Sequence, residues 1–127
     1  MSLQDSLVLI AIFQNTDQYN LDSSWRVVKG LCGFGISFQS KNNPNYFIRI
    51  NSYQARIEEY DNTALFRMEA SFILHKGLAN SEKYSFESAN FRGYFLRHSS
   101  FYLRIDRFDK TDLFKKDATF YPKFLGY

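Results

Sequence analysis

This chain repeats itself. Residues 37–72 lie on residues 85–120 at a constant offset of 48 without a gap, and 16 of the 36 aligned pairs are identical. Ser37-Phe38-Gln39-Ser40 falls on Ser85-Phe86-Glu87-Ser88, and Tyr46-Phe47-Ile48-Arg49 on Tyr94-Phe95-Leu96-Arg97. A shorter echo, offset by 47, sets Asp22-Ser23-Ser24-Trp25 against Glu69-Ala70-Ser71-Phe72, and Lys29-Gly30-Leu31 against Lys76-Gly77-Leu78. A fixed period constrains architecture before any residue-level reading, because each copy must make the same strands and turns. The spacing predicts three units, about 1–33, 34–80 and 81–127, in a single domain.

Each unit reads as short strands. In the third, Tyr84 to Ser88, Tyr94 to Arg97, Phe101 to Ile105 and Ala118 to Tyr121 are aromatic or β-branched runs, divided by Gly, Asn and Asp. Thr111 to Lys116 has room for one helical turn, and no segment keeps a 3.6-residue period over three turns. About four strands per unit and three units predict an all-β chain folded as a β-trefoil, with pseudo-threefold repeats of about 48 residues and the first repeat incomplete. Matched aromatics Tyr46, Phe47, Phe66, Phe72, Phe86, Phe95, Phe114 and Phe120 are expected in the core. The first unit lacks a counterpart of Ile36 to Ser40. The open edge of its Leu7 to Phe13 strand is therefore expected to be covered by the Phe124 to Tyr127 tail, by a second copy in a homodimer, or by a segment of a longer parent protein.

The charge balance is slight: 16 Lys and Arg against 13 Asp and Glu leave +3, and the basic residues are scattered. A nucleic-acid surface needs a basic stripe, so nucleic acid is not the expected partner. The longest apolar run, from Leu7 to Phe13, is too short to span a bilayer. No basic stretch with a cleavage site precedes it, so no signal peptide is visible. Cys32 has no second cysteine to pair with. There is no phosphate loop, no metal-spaced His or Cys set and no nucleophile–base pair around the two histidines, His75 and His98. No cofactor and no metal are expected.

The runs Tyr84-Ser85-Phe86-Glu87-Ser88-Ala89-Asn90, Gly93-Tyr94-Phe95-Leu96-Arg97-His98 and Asp117-Ala118-Thr119-Phe120 resemble the arabinose-binding (AbfB-type) module of α-L-arabinofuranosidase B, carbohydrate-binding module family 42. The segments Trp25 to Leu31 and Phe72 to Asn80 resemble that family's inter-repeat linkers. The resemblance implies an extracellular, non-catalytic β-trefoil that binds arabinofuranose side chains of hemicellulose. It also implies that His98 and Asp117 grip the sugar, as the His after Leu-Arg and the Asp before Ala-Thr-Phe do in the family.

The residue chemistry agrees, because a sugar hydroxyl both donates and accepts. A carboxylate offers strong acceptors and an imidazole plays either part. Ser99 stands beside the pair, and Phe101 or Tyr94 offers a wall for the apolar sugar face. The other units depart from the pattern. Ile50 stands where the third has His98, Glu69 where it has Asp117, and the first unit keeps only Asp22. One competent pocket, in the third unit, is the expectation. The recurring carboxylates Asp22, Glu69 and Asp117 sit in different units, whereas glycoside hydrolysis needs two facing one bond, so the chain is not expected to be an enzyme. The alternative is a protein-interaction or scaffold trefoil with a vestigial sugar site, since a fold alone does not choose its function.

Overall fold

Residues 7–9, 20–21, 25–99 and 102–124 are described by the structure, a computed structural model. Eleven strands and two short helices follow one another: β1 (Leu7–Leu9), β2 (Asn20–Leu21), β3 (Trp25–Lys29), β4 (Ile36–Ser40), β5 (Tyr46–Asn51), β6 (Gln54–Glu59), α1 (Ala64–Glu69), β7 (Phe72–Lys76), β8 (Tyr84–Ser88), β9 (Tyr94–Ser99), β10 (Tyr102–Arg107), α2 (Asp112–Asp117) and β11 (Tyr121–Phe124). Of the strands expected in the third unit, Tyr84–Ser88 is found as expected, the next two run on to Ser99 and Arg107, and the one expected over Ala118 to Tyr121 begins only at Tyr121; the helical turn is α2.

The expected β-trefoil is not what these strands build. Seven of them, in the order β4-β5-β6-β10-β9-β8-β7, close into an antiparallel barrel when β7 returns to β4 through Ile36 opposite Phe72. Gly35 permits that seam. At φ 70° it has no Cβ, and an added one would meet the Phe72 carbonyl oxygen at 2.2 Å. The halves of the ring join at Gln54 opposite Arg104. A period in the sequence does not encode such distant pairings. The offset of 48 is realised twice, in β4-β5-β6-α1-β7 and β8-β9-β10-α2-β11, with no third such set among the described residues. The first-unit strands lie beside the ring, β3 on β4 and β1 on β3. On its other edge β1 meets β11, Val8 opposite Phe124 and Leu9 opposite Lys123, so residues 7–9 are covered by the chain's own tail. Residues 10–13 and 125–127 lie outside the described residues.

Local chemistry explains why the two copies agree. Thr63 and Thr111 cap the helices, their hydroxyl oxygens accepting from the amides of Phe66 and Phe114, each at 3.1 Å. Asp61 and Asp109 hold the caps, accepting from the threonine amide and hydroxyl. Both turns pass through a positive φ, 61° at Asn62 and 65° at Lys110. The β5–β6 hairpin turns on Ser52 and Tyr53, both left-handed, which matches the twist of the strands it joins.

The aromatic core divides in three. Phe72, Phe86 and Phe120 pack with Phe38, Ile48, Ile50, Leu96 and Ile105 at the centre, where the Phe38 and Phe86 rings meet edge-on at 5.1 Å. Phe47 and Phe66 with Ala70, and Phe95 and Phe114 with Ala118, form two matching satellite clusters under the helices. Tyr46 is 38% exposed and leaves the expected core set.

Candidate functional site

β9 alternates across the sheet. Leu96 enters the central core and Phe95 enters the α2 cluster, so Tyr94, Leu96 and His98 share the inner side, and Phe95, Arg97 and Ser99 the outer. On β10, Leu103 stands opposite His98, Arg104 opposite Arg97 and Tyr102 opposite Ser99.

The outer side carries charge. Arg97 Nη2 donates to Asp117 Oδ2 at 2.5 Å, and Nη1 lies 3.7 Å from Asp106 Oδ2. The Arg97 guanidinium sits 5.0 Å over the Phe114 ring, and Arg104 Nη2 lies 3.0 Å from Asp106 Oδ1. Two guanidinium groups and two carboxylates therefore cancel on one face. The Nε atoms of Arg97 and Arg104 are buried and meet no acceptor among the described residues. The Asp117 carboxylate makes no other hydrogen bond among the described residues, so its second oxygen is uncommitted.

The second unit builds the same cluster and fills it. Glu69 Oε1 accepts from both Nε and Nη2 of Arg49, and Glu58 Oε1 accepts from Nη1 at 3.2 Å. The guanidinium lies 4.5 Å over Phe66. Burial, the largest single influence, works against its charge. The hydrogen bond and charge of Glu69, with Glu58 and Asp61, outweigh it and raise the pKa. No orphaned donor is left at Arg49.

Of the residues singled out in the sequence, Asp117 joins Arg97 directly, and His98 is within its electrostatic reach. Burial depresses the His98 pKa, Asp117 opposes that shift and Arg97 adds to it, so the imidazole is neutral at pH 7. Ser99 is half-buried on the Arg97 side. Tyr94 does not wall this site: four residues from His98 along a strand is about 13 Å. It packs instead on Tyr53, ring centres 5.7 Å apart, and on Phe91 at 5.9 Å. Ile50 is core, opposite Ala55, and Glu69 is the partner of Arg49. Phe101 and Asp22 lie outside the described residues. Arg97 and Arg104 were missed, although the identity of Arg49 and Arg97 across the repeat was a signal that could have found the first.

His75 does not join the site. Its Nε2 lies 2.8 Å from Glu87 Oε1, while Glu87 Oε2 accepts from the Gly93 amide at 2.7 Å. A shallow cavity of about 380 Å³ opens nearby between β7 and β8, lined by Leu74, His75, Lys76, Glu82 and Tyr84 among others. No group of three or more His, Cys, Asp or Glu among the described residues is arranged to hold a metal.

The alpha-L-arabinofuranosidase B (ABFB) domain matches this chain over residues 3–75 and again over 67–124. The chain belongs to that family. A search of curated proteins returns no match. Among solved structures, it is similar to a GH54 α-L-arabinofuranosidase soaked with cyclic sulfate inhibitor, at 22% identity and TM-score 0.73 over 91% of this chain and 30% of that one. An arabinofuranosidase complexed with arabinofuranosyl-α-1,2-xylobiose gives 21% identity and TM-score 0.74, over 93% and 30%. The ABFB chain described here thus spans about 30% of the length of those enzymes, and the likeness at that identity is one of fold.

Proposed function

We propose that this ABFB domain is a non-catalytic carbohydrate-binding module that takes one arabinofuranose-type side chain of a hemicellulose in its third unit. The observation that carries this reading is the half-committed carboxylate of Asp117, one oxygen on Arg97 and the other unengaged, within electrostatic reach of a neutral His98. That free oxygen offers acceptor capacity to a sugar hydroxyl. The cancelling charges around Arg97 suit a neutral ligand. Family membership supports the choice of sugar.

Hydrolysis is not part of the proposal. Asp106 and Asp117 are both paired with the Arg97 guanidinium, whereas hydrolysis asks for two carboxylates facing one bond. The expected outcome with 4-nitrophenyl α-L-arabinofuranoside is no release of nitrophenol above buffer.

The test is titration with L-arabinose and arabinoxylan oligosaccharides while amide resonances are followed. A single shallow site for a neutral sugar binds at Kd on the order of 1 mM, about 4 kcal/mol. Shifts centred on residues 97–99 and 117 support the reading. Saturating sugar with no perturbation in residues 81–127 overturns it.

A further inference from the structure

We propose that the reach of the carboxylate ending each short helix decides which unit is open: Glu69 closes the second, while Asp117 leaves Arg97, with Arg104 opposite it, to bind sugar hydroxyls in the third. This rests on the sugar-binding reading above and assigns two residues that reading did not need.

The repeat provides its own control. Arg49 and Arg97 occupy the same position, each over the phenylalanine of its helix and each flanked by a carboxylate from the next strand, Glu58 or Asp106. The helix-ending side chain differs by one methylene. Glu69 reaches far enough along the guanidinium to accept from Nε as well as Nη2. Asp117 stops at Nη2. Among the described residues Arg97 Nε is consequently buried without a partner, and so is Nε of Arg104, its direct cross-strand neighbour. In the second unit the residue opposite Arg49 is Arg56, which is exposed to solvent, and Arg49 Nε donates to Glu69.

Two buried N–H groups with nothing to donate to are costly unless an acceptor arrives. Directly opposed residues of an antiparallel pair hold their Cβ atoms about 5 Å apart. The two donors therefore address neighbouring atoms of one small ligand. With Arg97 and Arg104 balanced by Asp106 and Asp117, the ligand is neutral. A polyol fits: adjacent hydroxyl oxygens accept from the Nε groups, and one hydroxyl donates to the uncommitted oxygen of Asp117.

The test follows arginine Nε–H resonances in the intact domain and in Asp117→Glu and Glu69→Asp, with L-arabinose as probe. In the free protein, Asp117→Glu should move the Arg97 Nε–H downfield toward the position of Arg49, and Glu69→Asp should move that of Arg49 the other way. Arabinose should shift the Arg97 and Arg104 Nε–H resonances of the wild type. Losing one hydrogen bond to a charged group weakens binding about tenfold. That is the loss expected for Asp117→Glu, at a melting temperature no lower than the wild type's, because the new bond satisfies a buried donor, with Glu69→Asp binding as the wild type does. If the wild type binds arabinose and Asp117→Glu binds equally well with Arg97 Nε–H unmoved, the carboxylate-reach proposal falls and the sugar reading stands. If the wild type binds no arabinose, the sugar reading falls and takes this proposal with it.

Discussion

Ser85 donates its hydroxyl to the carbonyl of Ala118 at 2.7 Å, tying the start of β8 to the end of α2. The same oxygen accepts the Leu78 amide at 3.0 Å. Thr119 adds a parallel brace, accepting from the Ala79 amide and donating to the Lys115 carbonyl. Ser37 and Ser71 hold the amides of Leu31 and Cys32 in the same way. Ser85 is fully buried, so Ser85→Ala strands a carbonyl and an amide that water cannot reach freely. A loss of about 1–3 kcal/mol is expected. Urea denaturation measures it, and a midpoint within error of the wild type would remove the brace from the account.

Arg49→Met should cost more than a surface charge does. Glu69, 14% exposed, would lose its guanidinium and keep its charge. Breaking a buried pair costs about 3–5 kcal/mol, and partial exposure here reduces that to about 2 kcal/mol. Adding Glu69→Gln removes the abandoned charge and should return part of the loss. A double mutant no more stable than Arg49→Met alone counts against the pair as the origin of the effect.

His98 gives stability a slope in mild acid. Its folded pKa lies below the ordinary imidazole value of 6.5, chiefly through burial. As pH falls past 6.5 the unfolded chain takes up the proton first, so stability present above that pH is lost as pH drops through the folded pKa. His98→Ile, which copies the second unit, should flatten this part of the profile. Asp61, Asp109 and Glu87 are also depressed, but as carboxylates they act lower, below about pH 4.5. Melting temperature from pH 4.5 to 8 separates the two windows.

Much of this fold is legible in the chain. The offset of 48 predicts that Thr63 and Thr111, Asp61 and Asp109, and Phe66 and Phe114 do the same work, and they do. What escapes is where strands meet. Gly35 reads as part of a glycine-rich loop, and nothing nearby says that Phe72 will lie against it. The first trefoil unit rests on the echo around Trp25, yet that echo describes a hairpin register: Trp25 opposite Ser40 and Phe72 opposite Ser88. At the site, Asp117 was visible because it ends a recognisable run. Arg97 and Arg104 were not, because an arginine on a strand ordinarily reads as a solvated outer residue.

Thr111→Ala tests the shared cap. The substitution removes the acceptor for the Phe114 amide and the hydroxyl held by Asp109. About 1 kcal/mol is the expected cost, and Thr63→Ala should match it within a few tenths. Unequal losses, measured by thermal melts of both single mutants, would mean that the two helices do not contribute alike.

The closure at Ile36 and Phe72 carries a mechanical consequence. The hairpins are zipped along their length, β5 to β6 from Tyr46–Glu59 to Asn51–Gln54 and β9 to β10 from Tyr102–Ser99 to Arg107–Tyr94. Between hairpins the ring is stitched at single points: Gln39 to Phe47, Glu87 to Phe95, Gln54 to Arg104 and Ile36 to Phe72. Such a ring behaves as stiff ribbons on soft hinges. The joints between ribbons hold fewer paired residues than the ribbons themselves, and Arg104, which meets Gln54 at the joint between β6 and β10, shares its ribbon with Arg97, so a ligand held by both arginines would stiffen that ribbon beside the joint.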